Sequence, residues 1–277
     1  EMSASLVGSE MCIRDRYVLI NGNQIVMIFL NYLMTRNTEL GTLTGNEYIV
    51  KTIVTTETIR TIAEAQHIKM YDCFTGFKWI ANVMRENEGK ARYLGGGEES
   101  YGFLAEDFVR DKDSVSAISL MAEIAAWAKD KGLNMTDMLI DIYMKYGFSR
   151  EKGISLVRKG KSGAEEIIAL MKQFRENPPK EIAGSPVVTV KDFQSLVETN
   201  VATGETKKLD MPATSNVLQY YTADRTKVSV RPSGTEPKIK FYIEVHDTLA
   251  SADEYKATEA RADEKINRIA KEFGITK

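Results

Sequence analysis

The sequence predicts an α/β protein with a mixed, mostly parallel sheet and covering helices, followed by a smaller α+β domain. From Tyr17 to about Tyr146, short apolar segments alternate with segments that have helical periodicity, a pattern typical of parallel sheets. Beyond residue 180, several strand-like segments succeed one another and a helix closes the chain, as in an α+β domain. The 277 residues are enough for two domains.

Apolar periodicity and helix-boundary residues define the elements of the first domain. Segments rich in Val, Ile and Thr predict strands, and apolar residues at helical spacing predict helices. Strands are expected at 17–20, 48–55, 67–72 and 91–94, and helices at 24–35, 57–66, 77–86, 114–131 and 136–146. Three consecutive glycines after the fourth strand favour a flexible loop over residues 95–102.

The composition changes after residue 146. Gly, Ser, Arg and Lys are frequent in residues 147–162, which predicts an exposed connection between the domains. The helix that follows is expected to end before Pro178, because proline has no amide proton and clashes with a preceding helical turn. This helix is expected at 164–177, the strands at 187–190, 217–221, 227–230 and 239–245, and the terminal helix at 252–273.

The expected domain boundaries are therefore 17–148 for the first domain and 149–277 for the second. Residues 1–16 have neither the basic start nor the sustained apolar core of a signal peptide. They also continue no helical or strand period of the first domain. We interpret them as a foreign or artefactual tail.

Composition excludes several classes of function. A formal net charge of −2 argues against a general nucleic-acid-binding protein, which normally carries a basic surplus. Two cysteines and two histidines make a disulfide framework or a zinc site unexpected. The longest apolar run, residues 25–30, is far shorter than the ~20 residues that span a bilayer. We expect no nucleic-acid or membrane partner, and a cytoplasmic location.

Residues 231–237 (Arg-Pro-Ser-Gly-Thr-Glu-Pro) lie between two predicted strands and could bind phosphate. Gly234 would let successive backbone amides converge on one anion. Ser233 and Thr235 add hydroxyl donors, and the guanidinium of Arg231 can bind phosphate oxygens in pairs. A plain hairpin turn with an exposed arginine would also account for these residue types.

Residues 95–102 (Gly-Gly-Gly-Glu-Glu-Ser-Tyr-Gly) could bind a sugar. The carboxylates of Glu98 and Glu99 can accept hydrogen bonds from the hydroxyls of a sugar. They could also bind a metal or act in acid–base chemistry. Glycoside hydrolysis fits less well, because it needs two separated carboxylates and adjacent side chains point to different sides. A solvated acidic loop is the simplest alternative.

Two further clusters precede predicted helices. Thr75 and Gly76 open the helix at 77–86, where backbone amides can contact an anion or a polyol. Residues 110–113 (Arg-Asp-Lys-Asp) precede the helix at 114–131. Each of these clusters could equally be an ordinary helix start.

Together and in this order, the four clusters resemble those of the α-D-phosphohexomutase superfamily, most closely its phosphoglucomutase/phosphomannomutase branch. The resemblance runs from about residue 17 to residue 245. The superfamily's sugar loop, Gly-Glu-Glu-Ser-aromatic-Gly, is matched by residues 97–102, and its phosphate loop is matched in full by residues 231–237. The resemblance implies the fold of the third and fourth domains of these enzymes.

The resemblance also implies roles for individual residues. Glu98 and Ser100 would hold the sugar hydroxyls, Glu99 would support the same loop, and Thr75 and Gly76 would contact the substrate. The remaining assignments are Arg231, Ser233, Gly234 and Thr235, which would hold the phosphate that is not reacting, and Lys112, which would handle a proton or stabilise charge near the sugar.

Enzymes of this superfamily interconvert hexose 1-phosphate and hexose 6-phosphate through a phosphoserine and a hexose bisphosphate intermediate, with Mg²⁺. Neither the phosphoserine loop nor the Asp-x-Asp-x-Asp-Arg metal loop is expected in this sequence, since Met11 and Ile13 stand where that loop needs carboxylates. The chain is therefore expected to supply substrate binding, to hold no metal ligand, and to be inactive without the N-terminal domains of the same polypeptide.

Glucose phosphates are the substrates that the resemblance favours. Phosphomannomutase or phosphopentomutase specificity is the alternative within the same class of enzyme. A non-catalytic module that binds sugar phosphates is the alternative from another class.

Overall fold

The chain forms two compact units in the computed structural model, which describes residues 10–13, 16–158, 160–234 and 236–276. The first unit comprises the described residues up to Phe148, with residues 249–252. The second comprises the described residues of 149–248 and 253–276. The domain boundaries expected from the sequence, 17–148 and 149–277, and the interpretation of residues 1–16 as a foreign tail stay predictions.

The first unit contains a two-stranded ribbon and a four-stranded sheet. Strands β1 (Glu10–Ile13) and β2 (Arg16–Leu19) pair antiparallel in the ribbon. The sheet has the order β4-β3-β5-β6, in which β3 is parallel to β4 and β5, and β6 is antiparallel to β5. Its strands are β3 (Glu47–Thr52), β4 (Lys69–Cys73), β5 (Arg92–Gly97) and β6 (Phe103–Ala105). The first expected strand, 17–20, therefore belongs to the ribbon and was wrongly counted in the parallel sheet.

Helices cover this sheet, and several of them begin at residues whose side chains cap the helix N-terminus. The first helix begins with a capping box, in which Asn21 and Gln24 exchange backbone-to-side-chain hydrogen bonds of 3.0 Å. Asp113 caps the helix that begins at Ser114 by accepting from backbone amides, and Asn134 forms a second capping box with Asp137 at the start of the next helix. The helices are α1 (Gly22–Glu39), α2 (Thr58–Ala65), α3 (Phe77–Asn87), α4 (Ser114–Asp130) and α5 (Met135–Tyr146). None of the described helices of the chain is long and apolar enough to cross a membrane.

The two faces of the sheet have separate cores. On one face, α3 buries Phe77 and Ile80 against Tyr48, Val50 and Tyr93 of the strands. On the other face lies α1, whose side chains between Ile25 and Leu30 are all buried. A helix that is apolar all round is typical of a protein interior rather than of its surface.

Three glycines of β5 let the other elements approach this strand closely. A Cβ atom on Gly97 would lie 2.7 Å from Val26 Cγ2 of α1, and one on Gly96 would lie 2.6 Å from the carbonyl oxygen of Val50. The expectation of a flexible loop was therefore wrong for residues 95–97. They form the buried end of a strand, and the loop begins at Glu98.

The second unit contains an eight-stranded sheet of order β11-β10-β9-β12-β13-β14-β7. The eighth strand, β8, pairs with the first residues of β9. The strand pairs β10–β9, β9–β12, β12–β13 and β13–β14 are antiparallel. The strands are β7 (Phe148–Val157), β8 (Glu181–Ile182), β9 (Ser185–Asp192), β10 (Val197–Asn200), β11 (Thr206–Lys208), β12 (Leu218–Thr222), β13 (Lys227–Pro232) and β14 (Lys238–Asp247). The expected exposed connection at 147–162 was wrong, because most of it forms β7.

Two helices, α6 (Gly160–Glu176) and α7 (Tyr255–Glu272), complete the second unit. A 3₁₀ turn (Ala252–Glu254) precedes α7. The rings of Phe174, Phe241 and Phe273 join α6, β14 and the end of α7, with centroids 5.6–6.0 Å apart. This aromatic cluster holds the β13–β14 hairpin against the helices. The expected fold class, a mostly parallel α/β domain followed by an α+β domain, is confirmed.

Substitution Gly96→Ala tests the close packing of β5. The added methyl group would overlap the Val50 carbonyl oxygen and lie 2.7 Å from the Tyr93 hydroxyl. Overpacking of this kind costs about 1–3 kcal/mol, so we expect the first unit to unfold at lower denaturant concentration. Gly153→Ala is the control, because a Cβ there meets no atom within 4 Å. Equal stability of the two variants in urea denaturation would contradict the expected overlap.

Candidate functional site

The polar residues of the first unit gather where its parallel strands end. Strands β3, β4 and β5 end at Thr52, Cys73 and Gly97, and their carboxyl ends meet at one edge of the sheet. In open α/β sheets, ligands bind at this edge. The segments that follow are 53–57, 74–76 and 98–102, and the last of these, residues 98–102, is called the acidic loop below.

Glu98 is held in place by backbone groups. Its Oε1 accepts a hydrogen bond of 2.7 Å from the amide of Gly76, and its own amide donates 2.8 Å to the carbonyl oxygen of Gly102. Gly76 has a φ of 106°, in the region that favours glycine. Glu98 is only 7% exposed. This hydrogen bond joins the Thr-Gly motif to the Glu-Glu motif, although Gly76 and Glu98 are 22 residues apart in sequence.

Glu99 turns into the protein. Its Oε2 accepts hydrogen bonds from the hydroxyls of Thr52 at 3.2 Å and Thr55 at 3.3 Å. Burial raises the pKa of the Glu99 carboxyl, and the charge of Glu98 raises it too, although these hydroxyls lower it. Glu99 therefore anchors the acidic loop from below. The sequence identified neither threonine as its partner.

The tip of the acidic loop rests on the start of α1. A Cβ atom on Gly22 would lie 2.0 Å from the carbonyl oxygen of Glu99, so only glycine allows this contact. Ser100 and Tyr101 are exposed at the tip, and Tyr101 has a φ of 71°. The capping box of α1 and the acidic loop are consequently parts of the same packed structure.

Lys112 lies beside the acidic loop. A Cβ atom on Gly102 would be 3.2 Å from Lys112 Cδ and 2.9 Å from Glu98 Oε2. The Lys112 ammonium lies 5.6 Å from the ring centroid of Phe77, the first residue of α3, and 3.6 Å from Asp111 Oδ1. The lysine is exposed. The structure thus brings Gly76, Glu98 and Lys112 together, while Thr75 is half-buried next to them.

In the second unit, the described residues of the motif, 231–234 and 236–237, lie at the tip of the β13–β14 hairpin. The Ser233 amide donates 2.8 Å to the carbonyl oxygen of Lys238, which leaves this amide engaged within the hairpin. Gly234 is exposed, and a Cβ there would meet no atom within 4 Å. The predicted residue Thr235 lies outside the described residues. A cavity of about 480 Å³ is lined by this hairpin tip, by α6 and by Ser215 and Asn216.

Two cations face each other on this hairpin. Arg231 of β13 and Lys240 of β14 are register partners, and like charges directly opposite each other across a sheet are destabilising. No carboxylate of the described residues forms an ion pair with either side chain. Glu236 pairs with Lys238, and this hydrogen bond lowers the pKa of Glu236. The charge of Lys240 lowers that pKa as well, so Lys240 lies near this carboxylate. The sequence analysis did not identify Lys240 as part of this site. The alternation of strand residues between the two faces of a sheet could have predicted that Lys238 and Lys240 lie on the same face.

No metal centre is evident in the part of the chain that the structure describes. No group of three or more His, Cys, Asp or Glu side chains there could hold a metal ion. The described residues therefore offer no cluster of three or more such side chains to a divalent metal ion.

Comparison with known families identifies both units. The α/β/α domain III of the phosphoglucomutase/phosphomannomutase family matches residues 21–146, and the C-terminal domain of that family matches residues 170–262. The chain belongs to the phosphoglucomutase/phosphomannomutase family. The resemblance found in the sequence motifs is confirmed, and both motif loops lie inside the matched regions.

Bacterial phosphoglucomutases are among the similar members of the family. The enzyme of Staphylococcus epidermidis is 35% identical over 223 residues, which cover 80% of this chain and 40% of that protein. The enzyme of Staphylococcus haemolyticus is 32% identical over 225 residues, which cover 81% of this chain and 40% of that protein. The chain thus spans about 40% of the length of these phosphoglucomutases.

Solved structures of the family share the fold. Parafusin from Paramecium, a phosphoglucomutase in its open form, has a TM-score of 0.56 and 14% identity, with 93% of this chain and 43% of that chain covered. A phosphoglucomutase/phosphomannomutase family protein from Burkholderia thailandensis has a TM-score of 0.53 and 16% identity, with coverage of 94% and 43%. At this identity the likeness shows the fold alone.

Substitution Glu99→Gln tests the environment of this carboxyl group. The pKa of Glu99 is higher in the folded state than its ordinary value of 4.5, so ionisation opposes folding as the pH rises through the folded-state pKa. We expect the variant to gain stability relative to wild type between about pH 4 and about pH 8. Urea denaturation at both pH values measures this, with Glu64→Gln on the exposed side of α2 as control. A gain that is the same at both pH values would contradict the assignment.

Proposed function

We propose that this chain is the substrate-binding part of a phosphoglucomutase, which interconverts glucose 1-phosphate and glucose 6-phosphate. The observation that carries the proposal is the pair of loops with opposite charge. One presents the fixed carboxylate of Glu98 beside Lys112. The other presents Arg231 opposite Lys240, and no carboxylate of the described residues forms an ion pair with Arg231.

The acidic loop suits a sugar. An ionised carboxylate accepts hydrogen bonds from hydroxyl groups, and a carboxylate that is already oriented loses little entropy when it binds. In this proposal Glu98 and Ser100 bind sugar hydroxyls, while Thr75 and Gly76 contact the substrate from the start of α3. Glu99 keeps the loop in place. Lys112 handles a proton or stabilises charge near the sugar.

The hairpin at 231–237 suits a phosphate. Charge-assisted hydrogen bonds from a guanidinium to phosphate oxygens are short and strong, and an anion would relieve the repulsion between Arg231 and Lys240. Neither backbone conformation nor packing requires glycine at position 234. An open position without a side chain lets a ligand approach the backbone. Ser233, Gly234 and Thr235 complete the proposed set.

The complete enzyme, in this proposal, transfers a phosphoryl group from a phosphoserine to the sugar phosphate and later recovers the other phosphate. A hexose bisphosphate is the intermediate and activator. Phosphoryl transfer needs positioning and neutralisation of charge, which Mg²⁺ supplies when bound. We assign the serine and the metal ligands to parts of the polypeptide outside this sequence, and a cytoplasmic role in carbohydrate metabolism to the whole enzyme.

Sugar preference is tested with the full-length gene product. Glucose 1-phosphate, mannose 1-phosphate and ribose 1-phosphate are compared by kcat/KM under identical conditions. We expect the highest value for glucose 1-phosphate, because the staphylococcal phosphoglucomutases share the matched region. Preference for mannose or ribose would replace the proposal with phosphomannomutase or phosphopentomutase activity. Absence of turnover with all three would favour a non-catalytic sugar-phosphate-binding module.

Substitution Arg231→Ala tests the phosphate site. A charge-assisted hydrogen bond contributes about 1.5–3 kcal/mol, so we expect the affinity for glucose 1-phosphate to fall roughly 10- to 150-fold. Isothermal titration calorimetry on the 277-residue chain measures the change. Arg268→Ala, which removes an exposed arginine from α7 of the same unit, is the matched control. Unchanged affinity in the Arg231 variant would exclude this hairpin as the phosphate site.

A further inference from the structure

A fully buried lysine lies beneath the acidic loop. Lys51 of β3 has no exposed surface, although lysine is almost never fully buried unless it is paired. Its ammonium lies 2.8 Å from Asp72 Oδ1 and 3.0 Å from Glu57 Oε1. Arg60 of α2 forms ion pairs with the same two carboxylates. These four residues, Lys51, Glu57, Arg60 and Asp72, are called the Lys51 cluster.

The Lys51 cluster joins β3, β4 and α2 at the carboxyl edge of the sheet, where ligands bind in open α/β folds. Lys51 lies one residue before the end of β3, and Asp72 lies one residue before the end of β4. These two are register partners in the parallel pair. Glu57 precedes α2, and Arg60 is in it. Two positive and two negative charges close a ring, so the cluster is neutral.

One arm of the cluster leads to Glu99. The Lys51 ammonium lies 3.4 Å from the carbonyl oxygens of both Thr52 and Thr55. The hydroxyls of the same two threonines lie 2.8 Å apart, and both reach Glu99 Oε2. Lys51 therefore fixes the backbone of the turn whose hydroxyls anchor the acidic loop.

The other arm leads to Glu98. The ion pairs of Asp72 with Lys51 and Arg60 fix the position of the end of β4. From there the chain continues through Cys73 and Phe74 to Gly76. The Gly76 amide holds Glu98 Oε1 at 2.7 Å. A shift of the end of β4 relative to β3 would move this amide. Both carboxylates of the acidic loop thus depend on segments that the cluster ties together.

Stability alone is a poor explanation for such a cluster. Removing charges from water is expensive, and apolar residues of similar volume often stabilise a protein as well as a buried ion pair does. Ion pairs are more directional than apolar contacts, because each ion pair fixes two particular charged groups relative to each other. A cluster at this place specifies geometry at the end of the sheet.

We propose that Lys51 is a positioning residue of the acidic loop, which aligns Glu98 and Glu99 for sugar binding through the Lys51 cluster. The inference rests on the proposed function for its ligand. Lys51 itself contacts no substrate and acts only through the residues that it positions. Its loss misplaces the Gly76 amide and the two threonine hydroxyls, and the sugar contacts weaken while the phosphate hairpin of the other unit keeps its affinity.

Lys51→Met is the principal variant, in the 277-residue chain. The first readout needs no ligand: the Gly76 amide proton is followed by NMR, because loss of its bond to a carboxylate shifts the signal upfield and speeds hydrogen exchange. The second readout is calorimetry with glucose 1-phosphate and with inorganic phosphate. We expect the affinity for glucose 1-phosphate to fall about tenfold, and the affinity for inorganic phosphate to stay unchanged.

Two controls separate positioning from general destabilisation. Ile124→Ala removes a fully buried side chain of α4 in the same unit, and we expect it to lower stability without changing the Gly76 signal. If Lys51→Met does not fold, Arg60→Met and Arg60→Lys take its place, since Arg60 is partly exposed. The methionine variant is expected to shift the Gly76 signal, and the conservative lysine variant to restore it in part.

An unchanged Gly76 signal in a folded Lys51→Met or Arg60→Met variant would overturn the inference. So would an equal signal change in the Ile124→Ala control, because the cluster would then act only through stability. Failure of the wild-type chain to bind glucose 1-phosphate would count against the proposed function instead, since the amide readout does not use the ligand.

Discussion

The close approach of α1 to the glycine strand β5 is the contact on which the rest of the first unit depends. Because Gly97 carries no side chain, Val26 of α1 can pack directly against the strand. The same approach brings Gly22, at the start of the helix, against the backbone of Glu99. Core packing and the position of the acidic loop are therefore set by one interface. A bulkier residue in either place would separate the helix from the loop that it supports.

Local charge organises the two loops, although the whole chain is nearly neutral. In the first unit each carboxylate has its own fixed donors, which are the Gly76 amide for Glu98 and two threonine hydroxyls for Glu99. In the second unit, Arg231 and Lys240 face each other, and the carboxylate of Glu236 pairs with Lys238. One loop is therefore prepared to accept hydrogen bonds and the other to receive an anion.

Most helices and the central strands could be predicted, because each depends on periodicity within a short segment. The errors have a common cause. Residues 95–97 and 148–157 contain glycine or charged residues that favour loops locally, but both segments gain the hydrogen bonds of a neighbouring strand and become strands. The short strands β6, β8, β10 and β11 were missed for the same reason. Their pairing comes from residues that are remote in sequence or joined by tight turns.

The sequence by itself determined the chemical character of the two loops, since Glu98 and Arg231 belong to contiguous motifs whose residue types and order are typical of one family. Only the tertiary structure decided which groups hold those motifs. Thr52, Thr55 and Gly76 reach the acidic loop from the ends of β3 and β4 and from the segments that follow them. The fully buried Lys51 lies beneath them as part of a neutral cluster. The physical reason is that burial and hydrogen-bond geometry depend on which distant segments meet, whereas a motif records only what is adjacent along the chain.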